Sequence, residues 1–375
     1  MTDPRLTPLA ETLPSTVPFV GPEAQERTQG VPFDARLGAN ENGFGPSPKA
    51  ITAMAEAAKD AWKYPDPDNH DLKDALASFH AVPTDNIAID AGIDTLLGVL
   101  TRLLIGPGDH VVTSLGAYPT FNYHVAGFGG TLHTVPYAGD HEDIDRLIAK
   151  ANETKAKLIY LSNPDNPMGS HHTAADILRM IDAVPPGCLL ILDEAYAELA
   201  PPAAIPPLDP TDTRVIRMRT FSKAYGLAGA RVGYAIAAAP LIKAFDKVRN
   251  HFGMARPSQA AALAALADQI YLDDVVGRTF AAREALTSIA TQNGLRALPS
   301  AANFVTMDCG RDGAFATSVL QGLLARRIFV RMPGVAPQNR CIRISCGPHA
   351  ELEAFAAALP GAISDAESQY EVQSA

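Results

Sequence analysis

Between residues 87 and 236 the chain repeats one pattern: a short apolar run, a polar residue at its end, then a stretch long enough for a helix. Runs that are apolar on both faces and separated by helix-sized intervals build a mostly parallel α/β sheet, because parallel strands need long crossovers that cover both faces. Strands are expected at Ile87–Asp90, His110–Thr113, Leu132–Val135, Leu158–Leu161, Leu189–Leu192, Val215–Arg217 and Val232–Ile236. Ligands of open α/β sheets gather at strand ends and in the loops that follow, so the polar residues there become candidates.

From Leu241 to about Ala290 the periodicity turns helical, and the alanine-rich stretch Ala260–Ala267 is expected to bridge two domains. Beyond it, Asn303–Met307 and Cys341–Ser345 read as strands of a smaller α+β unit and Glu351–Ala358 as a helix, with a frayed tail from Ser364. The division expected is an arm over 1–40, a large domain over 41–250, and a small domain over 251–375 that includes the bridging helix. With 47% hydrophobic residues, the chain can fill cores of that size.

The net charge of -10 carries no basic run, so a nucleic-acid partner is not expected. No stretch is apolar for the length of a signal core or a membrane span, so neither export nor a membrane is expected. Cys188, Cys309, Cys341 and Cys346 lack zinc-site spacing and read as small buried residues, which fits a reducing cytoplasm. The adjacent His171 and His172 have no further ligands at fitting spacing, so no metal is expected.

Chemistry concentrates in four strand-end segments. In Thr220-Phe221-Ser222-Lys223, with Arg231 shortly after, two hydroxyls and an arginine suited to phosphate surround one lysine. An amine buried beside cationic groups has the lowered pKa that bond formation to a carbonyl needs. The run Leu190-Ile191-Leu192-Asp193-Glu194-Ala195-Tyr196 ends a strand in a carboxylate with a phenol three residues on. That pair suits an electron-sink cofactor, which needs an acid at its ring nitrogen and a donor at its phenolic oxygen. Glu194 reads as structural. Ser162-Asn163-Pro164-Asp165-Asn166-Pro167 fixes a rigid turn that presents Asn166 toward the same crevice. Asp90-Ala91-Gly92-Ile93-Asp94 opens a helix whose free N–H groups can hold a phosphate.

In this order the segments resemble fold-type-I pyridoxal-phosphate aminotransferases of class II, and among them the histidinol-phosphate aminotransferase branch. The likeness also takes in Ala39-Asn40-Glu41-Asn42-Gly43, Tyr64-Pro65-Asp66-Pro67, Asn303-Phe304, Val330-Arg331 and Cys341-Ile342-Arg343. It implies a three-layer, mostly parallel-sheet large domain with a smaller α+β domain, and pyridoxal 5'-phosphate as cofactor. By that pattern Lys223 holds the cofactor aldehyde as an imine and later moves the substrate proton. Asp193 pairs with the ring nitrogen, Asn166 and Tyr196 bind the ring's phenolate oxygen, and Tyr118 stacks on the ring. Ser222, Arg231, Thr220 and the N–H groups at Gly92, Ile93 and Asp94 take the phosphate, with Tyr64 supplied by a second subunit, which implies a homodimer. Arg343 clamps the substrate carboxylate and Arg331 a distal phosphate, with Asn42 and Phe19 also on the substrate side. The chain departs from the pattern at Gly43, where proline is usual, at Met168, where threonine is usual, at Gly116 in place of proline, and at Phe19 in place of a tyrosine.

The substrates expected are amino acids such as glutamate and a 2-oxo acid or phosphorylated amino ketone. Two enzymatic alternatives share nearly every motif: a general or aromatic amino-acid aminotransferase, and a decarboxylase resembling threonine-phosphate decarboxylase. A cofactor-binding regulator is a third, but the roughly forty residues before the large sheet domain leave little room for a DNA-binding domain.

Overall fold

The structure is a computed structural model that describes residues 5–15 and 20–374. Its strands in chain order are β1 (Ala35–Arg36), β2 (Ile87–Asp90), β3 (His110–Ser114), β4 (Thr131–Val135), β5 (Leu158–Ser162), β6 (Leu189–Asp193), β7 (Val215–Thr220), β8 (Gly233–Ile236), β9 (Arg296–Ala297), β10 (Phe304–Asp308), β11 (Ile328–Phe329) and β12 (Cys341–Ser345). The main sheet has seven strands in the order β2-β8-β7-β6-β5-β3-β4. β8 runs antiparallel to both of its neighbours, and the pairs among the other strands are parallel.

Alternation along the buried strands produces three layers. Leu158, Tyr160, Leu189 and Ile191 share one core with Leu96, Leu97 and Leu100 of the helix Ile93–Leu104. Their immediate neighbours Ile159, Leu161, Leu190 and Leu192 share another with Leu147, Ile177 and Met180 of the helices Ile144–Thr154 and Ala174–Asp182. Successive strand side chains point to opposite faces, so a run that is apolar throughout is buried on both.

A second unit packs β10 between β12 and β9, with the helices Gly313–Ala325 and His349–Ser374. Ala35 and Leu37, assigned by the sequence to an arm, lie in this unit's core, and β1 pairs with β11. The alanine-rich stretch expected to bridge two domains instead lies in the helix Arg256–Ala267, whose buried Ala261, Ala262 and Ala265 belong to the first core, and the bridge is the next helix, Gln269–Gln292, with Leu272 in the first core and Leu286 and Ala290 in the second.

The frayed tail expected from Ser364 is corrected by the structure: one helix runs from His349 to Ser374, with Pro360 inside it. Leu359, Ala362 and Ala366 are fully buried at helical spacing, and Tyr370 meets Phe315 edge-on at 5.8 Å. The apolar stripe outweighs the broken hydrogen bond at the proline.

Candidate active site

Strand register gathers the candidate segments. Ser162 pairs with Asp193, and Asp193 with Met218. Thr220 and Asp90 flank Gly233 from its two sides, so the loops after β2, β5, β6 and β7 open at one edge of the sheet. There Ile93, Asp94, Tyr118, Asn166, Asp193, Tyr196, Thr220, Ser222, Lys223 and Arg231 line one cavity. A larger concavity, lined among others by Asp68, Lys73, Asp90 and Arg249, lies elsewhere and includes none of these residues.

Lys223 is the cavity's amine. Its Nζ donates to the carbonyl of Asn40 at 3.1 Å and stands 5.7 Å from the centre of the Tyr196 ring. Burial and then the charge of Arg343 lower its pKa to about 8. Asp193 is 4% exposed, and burial raises its carboxyl to about 6. Oδ2 accepts the Tyr160 hydroxyl at 2.6 Å and Oδ1 the Ala195 N–H at 3.0 Å. Both donors are neutral, so the carboxylate keeps capacity for a cationic N–H. Glu194 faces away, paired with the buried Arg217 and Arg219.

At the other end of the cavity is an anion cradle. Gly92 caps the helix Ile93–Leu104 without a side-chain hydrogen bond, which leaves first-turn N–H groups open. Its φ of 88° suits glycine, and a Cβ there would lie 2.5 Å from Arg231 Nη2. Arg231 Nη1 donates to Ser222 Oγ at 3.3 Å, and Thr220 Oγ1 accepts the Ser222 N–H at 3.0 Å. Tyr118 donates to Asp94 Oδ1 at 3.0 Å. Helix N–H groups, two hydroxyls and a guanidinium form a donor set matched to a phosphate, and with Lys223 and Asp193 the cavity fits pyridoxal phosphate.

A second cavity continues from the first and is lined by Asn166, Lys223, Arg343 and Arg331. Arg331 and Arg343 lie opposite one another in an antiparallel bridge, which sends both side chains to one face. Arg343 donates to Asn166 Oδ1, so the Asn166 amide hydrogens are left for the cavity, and its own Nε is buried without a partner. Burial lowers its pKa to about 10, which leaves it charged at neutral pH. Arg331 Nη2 donates to the Val20 carbonyl at 2.6 Å.

Two expected site residues, Tyr64 and Asn42, line neither cavity. Tyr64 is 77% exposed, its ring tilted against Phe252 at 4.9 Å, and outside both cavities. Asn42 binds the Ala224 carbonyl and the Phe44 N–H, which ties the loop before the cavity to the residue after Lys223. Phe19 lies outside the described residues. Two departures from the family pattern, at Gly43 and Met168, are accommodated locally. A Cβ at Gly43 would meet Pro348 Cδ at 2.7 Å, and Met168 fills a small core with Tyr137, Leu298 and Cys341. Sequence reasoning gave no role to Asn40, Tyr160 or Ser345, although Asn40 lies in a segment that carries the family resemblance and Tyr160 interrupts the apolar run of β5.

Comparison with known proteins gives the family. The model of aminotransferase class I and II matches residues 35–359. The chain is 36% identical over 331 residues to histidinol-phosphate aminotransferase 1 of Mesorhizobium japonicum, covering 87% of this chain and 89% of that protein. It is 54% identical, with a TM-score of 0.93 over 96% of this chain and 98% of the other, to the crystal structure of histidinol-phosphate aminotransferase from Sinorhizobium meliloti in complex with pyridoxal-5'-phosphate. A Thermus thermophilus aspartate aminotransferase variant, 22% identical with a TM-score of 0.78 over 94% of this chain and 99% of that one, shares the fold. The chain belongs to the class I and II aminotransferases.

Proposed function

We propose that the protein exchanges an amino group between histidinol phosphate, or its keto counterpart, and an amino acid such as glutamate, using pyridoxal phosphate held by Lys223. Bound there, the cofactor supplies an aldehyde carbon and an electron-accepting ring. The protein's residues do the rest. Asp193 holds the ring nitrogen protonated, Tyr196 and Asn166 donate to the ring's phenolic oxygen, and Tyr118 covers the ring. Ser222, Thr220, Arg231 and the N–H groups after Gly92 bind the phosphate. Lys223 Nζ, with its pKa lowered to about 8, takes the proton from the substrate's α-carbon and returns it to the product side.

The observation that carries the substrate reading is the facing pair Arg331 and Arg343 on one cavity wall. Arg343 lies beside Asn166 and takes the α-carboxylate of the amino acid, for which a planar guanidinium is suited. Arg331 takes the distal phosphate. The working unit is a homodimer that brings Tyr64 to the neighbouring subunit's cofactor phosphate, and its exposed neighbours Trp62 and Phe252 supply apolar contact surface. We place the enzyme in the cytoplasm, in keeping with four unpaired, buried cysteines.

Steady-state kinetics of Arg331→Ala tests the substrate reading. KM for histidinol phosphate rises roughly 10–100-fold, the loss of a charge-assisted hydrogen bond, while phenylalanine turnover stays within about twofold. A uniform loss across substrates, or a parent enzyme inert toward histidinol phosphate, points instead to a general amino-acid aminotransferase.

A further inference from the structure

Asn40 is 2% exposed with φ of 54°, a left-handed conformation that asparagine tolerates better than most residues. That conformation turns its polar groups toward several elements at once. Its carbonyl accepts Lys223 Nζ at 3.1 Å and Asn303 Nδ2 at 3.0 Å. Its N–H donates to Ser345 Oγ at 3.0 Å, so that hydroxyl has its proton left to give, and Asn40 Oδ1 stands 3.4 Å away. With Oδ1 so placed, the amide nitrogen faces the other way, where it donates to the Tyr196 hydroxyl at 3.2 Å. The Tyr196 oxygen is therefore an acceptor on that side, and its single proton goes elsewhere. The ring is 2% exposed and held edge-on to Phe304 at 5.6 Å, and the cavity beside it is lined by Asp193, Asn166 and Lys223.

We propose that Asn40, oriented by Ser345, is a positioning residue that fixes the direction of the Tyr196 hydroxyl, so that its proton points into the cofactor cavity. The inference rests on the reading above that Tyr196 faces the cofactor's phenolic oxygen. A donor aimed at that oxygen stabilises its negative charge and lowers the pH at which the lysine–cofactor linkage loses its proton, a change visible in the absorption spectrum. Ser345 lies two residues from Arg343 on β12, so the direction of this proton is set from the smaller unit.

Spectral pH titration of the cofactor-loaded protein tests this. Asn40→Asp keeps the shape but offers an acceptor, so the Tyr196 proton turns toward it. Asn40→Gly keeps the left-handed backbone and its carbonyl and removes only the amide. The spectral midpoint rises by about one pH unit in Asn40→Asp and by less in Asn40→Gly. Adding Asn40→Asp to Tyr196→Phe produces no rise beyond Tyr196→Phe alone, because both act through one hydroxyl. An additive double variant means the new carboxylate acts by charge alone, and this overturns the proposal. So does an unchanged midpoint in both Asn40 variants while Tyr196→Phe shifts. If Asn40→Asp does not fold, Asn40→Gly decides. An unshifted Tyr196→Phe overturns the placement of Tyr196 itself, and the relay with it.

Discussion

Lys223 and Asp193 show how burial sets chemistry at single residues: it lowers the amine to about 8 and raises the acid to about 6, which brings both nearer neutral pH. The same force acts on Glu142, which is 1% exposed and accepts the Ser162 N–H at 3.0 Å through Oε1. Burial, and then the neighbouring Asp165, push its carboxyl well above the ordinary carboxylate range. The folded state thus binds a proton that the unfolded state releases near 4.5, so stability falls as pH rises from there toward the folded pKa. Glutamine copies the protonated shape and has no such proton to lose. Glu142→Gln is expected to match the parent near pH 5 and to exceed it at pH 8 by about 1–3 kcal/mol, read from denaturant unfolding. Equal destabilisation at both pH values contradicts this. Lys223, Asp193 and Arg231 were legible in sequence because each sits in a distinctive string after an apolar run. Asn40 was not, because its contacts depend on a left-handed turn and on Ser345, 305 positions away.

At the scale of elements, the seven strands of the main sheet were legible because most are runs apolar on both faces, which have few other places to go. The reversal of β8 was not, since hydropathy does not encode strand direction. The C-terminal helix was under-read because its stripe of Leu359, Ala362 and Ala366 surrounds a proline, normally a stop signal. The tight junction between β2 and the helix Ile93–Leu104 carries a prediction of its own. Gly92→Ala places a methyl 2.5 Å from Arg231 Nη2 in a backbone conformation that disfavours it. The guanidinium must move, and with it part of the proposed phosphate cradle. Cofactor affinity, measured by fluorescence titration, is expected to fall at least about tenfold, a cost of roughly 1.4 kcal/mol. Unchanged affinity means that Arg231 does not hold the phosphate.

Over the whole molecule, the two adjoining cavities draw on both packed units: Asp193 ends β6 and Lys223 follows β7 of the main sheet, while Arg343 lies on β12. Nothing in composition or spacing marked residues 35–37 as part of the second core, because a two-residue strand leaves no periodicity to read. In the proposed homodimer Tyr64, 77% exposed and outside the lining of its own cavity, would serve the neighbouring subunit's site. Sedimentation across a dilution series should show cofactor release following dissociation to monomers, and Tyr64→Phe should weaken cofactor retention without changing the sedimentation coefficient. A monomer that retains cofactor fully and turns over at the parent rate contradicts the shared site.

The central claim is that Lys223 holds a cofactor to which histidinol phosphate gives its amino group, and a single-turnover experiment without an amino acceptor addresses it directly. When histidinol phosphate is mixed with the loaded protein, the yellow absorption is expected to fade. One equivalent of the phosphorylated keto product should form per Lys223, and Lys223→Ala should form none. Persistence of the yellow absorption with histidinol phosphate, under conditions in which phenylalanine or glutamate bleaches it, contradicts the account.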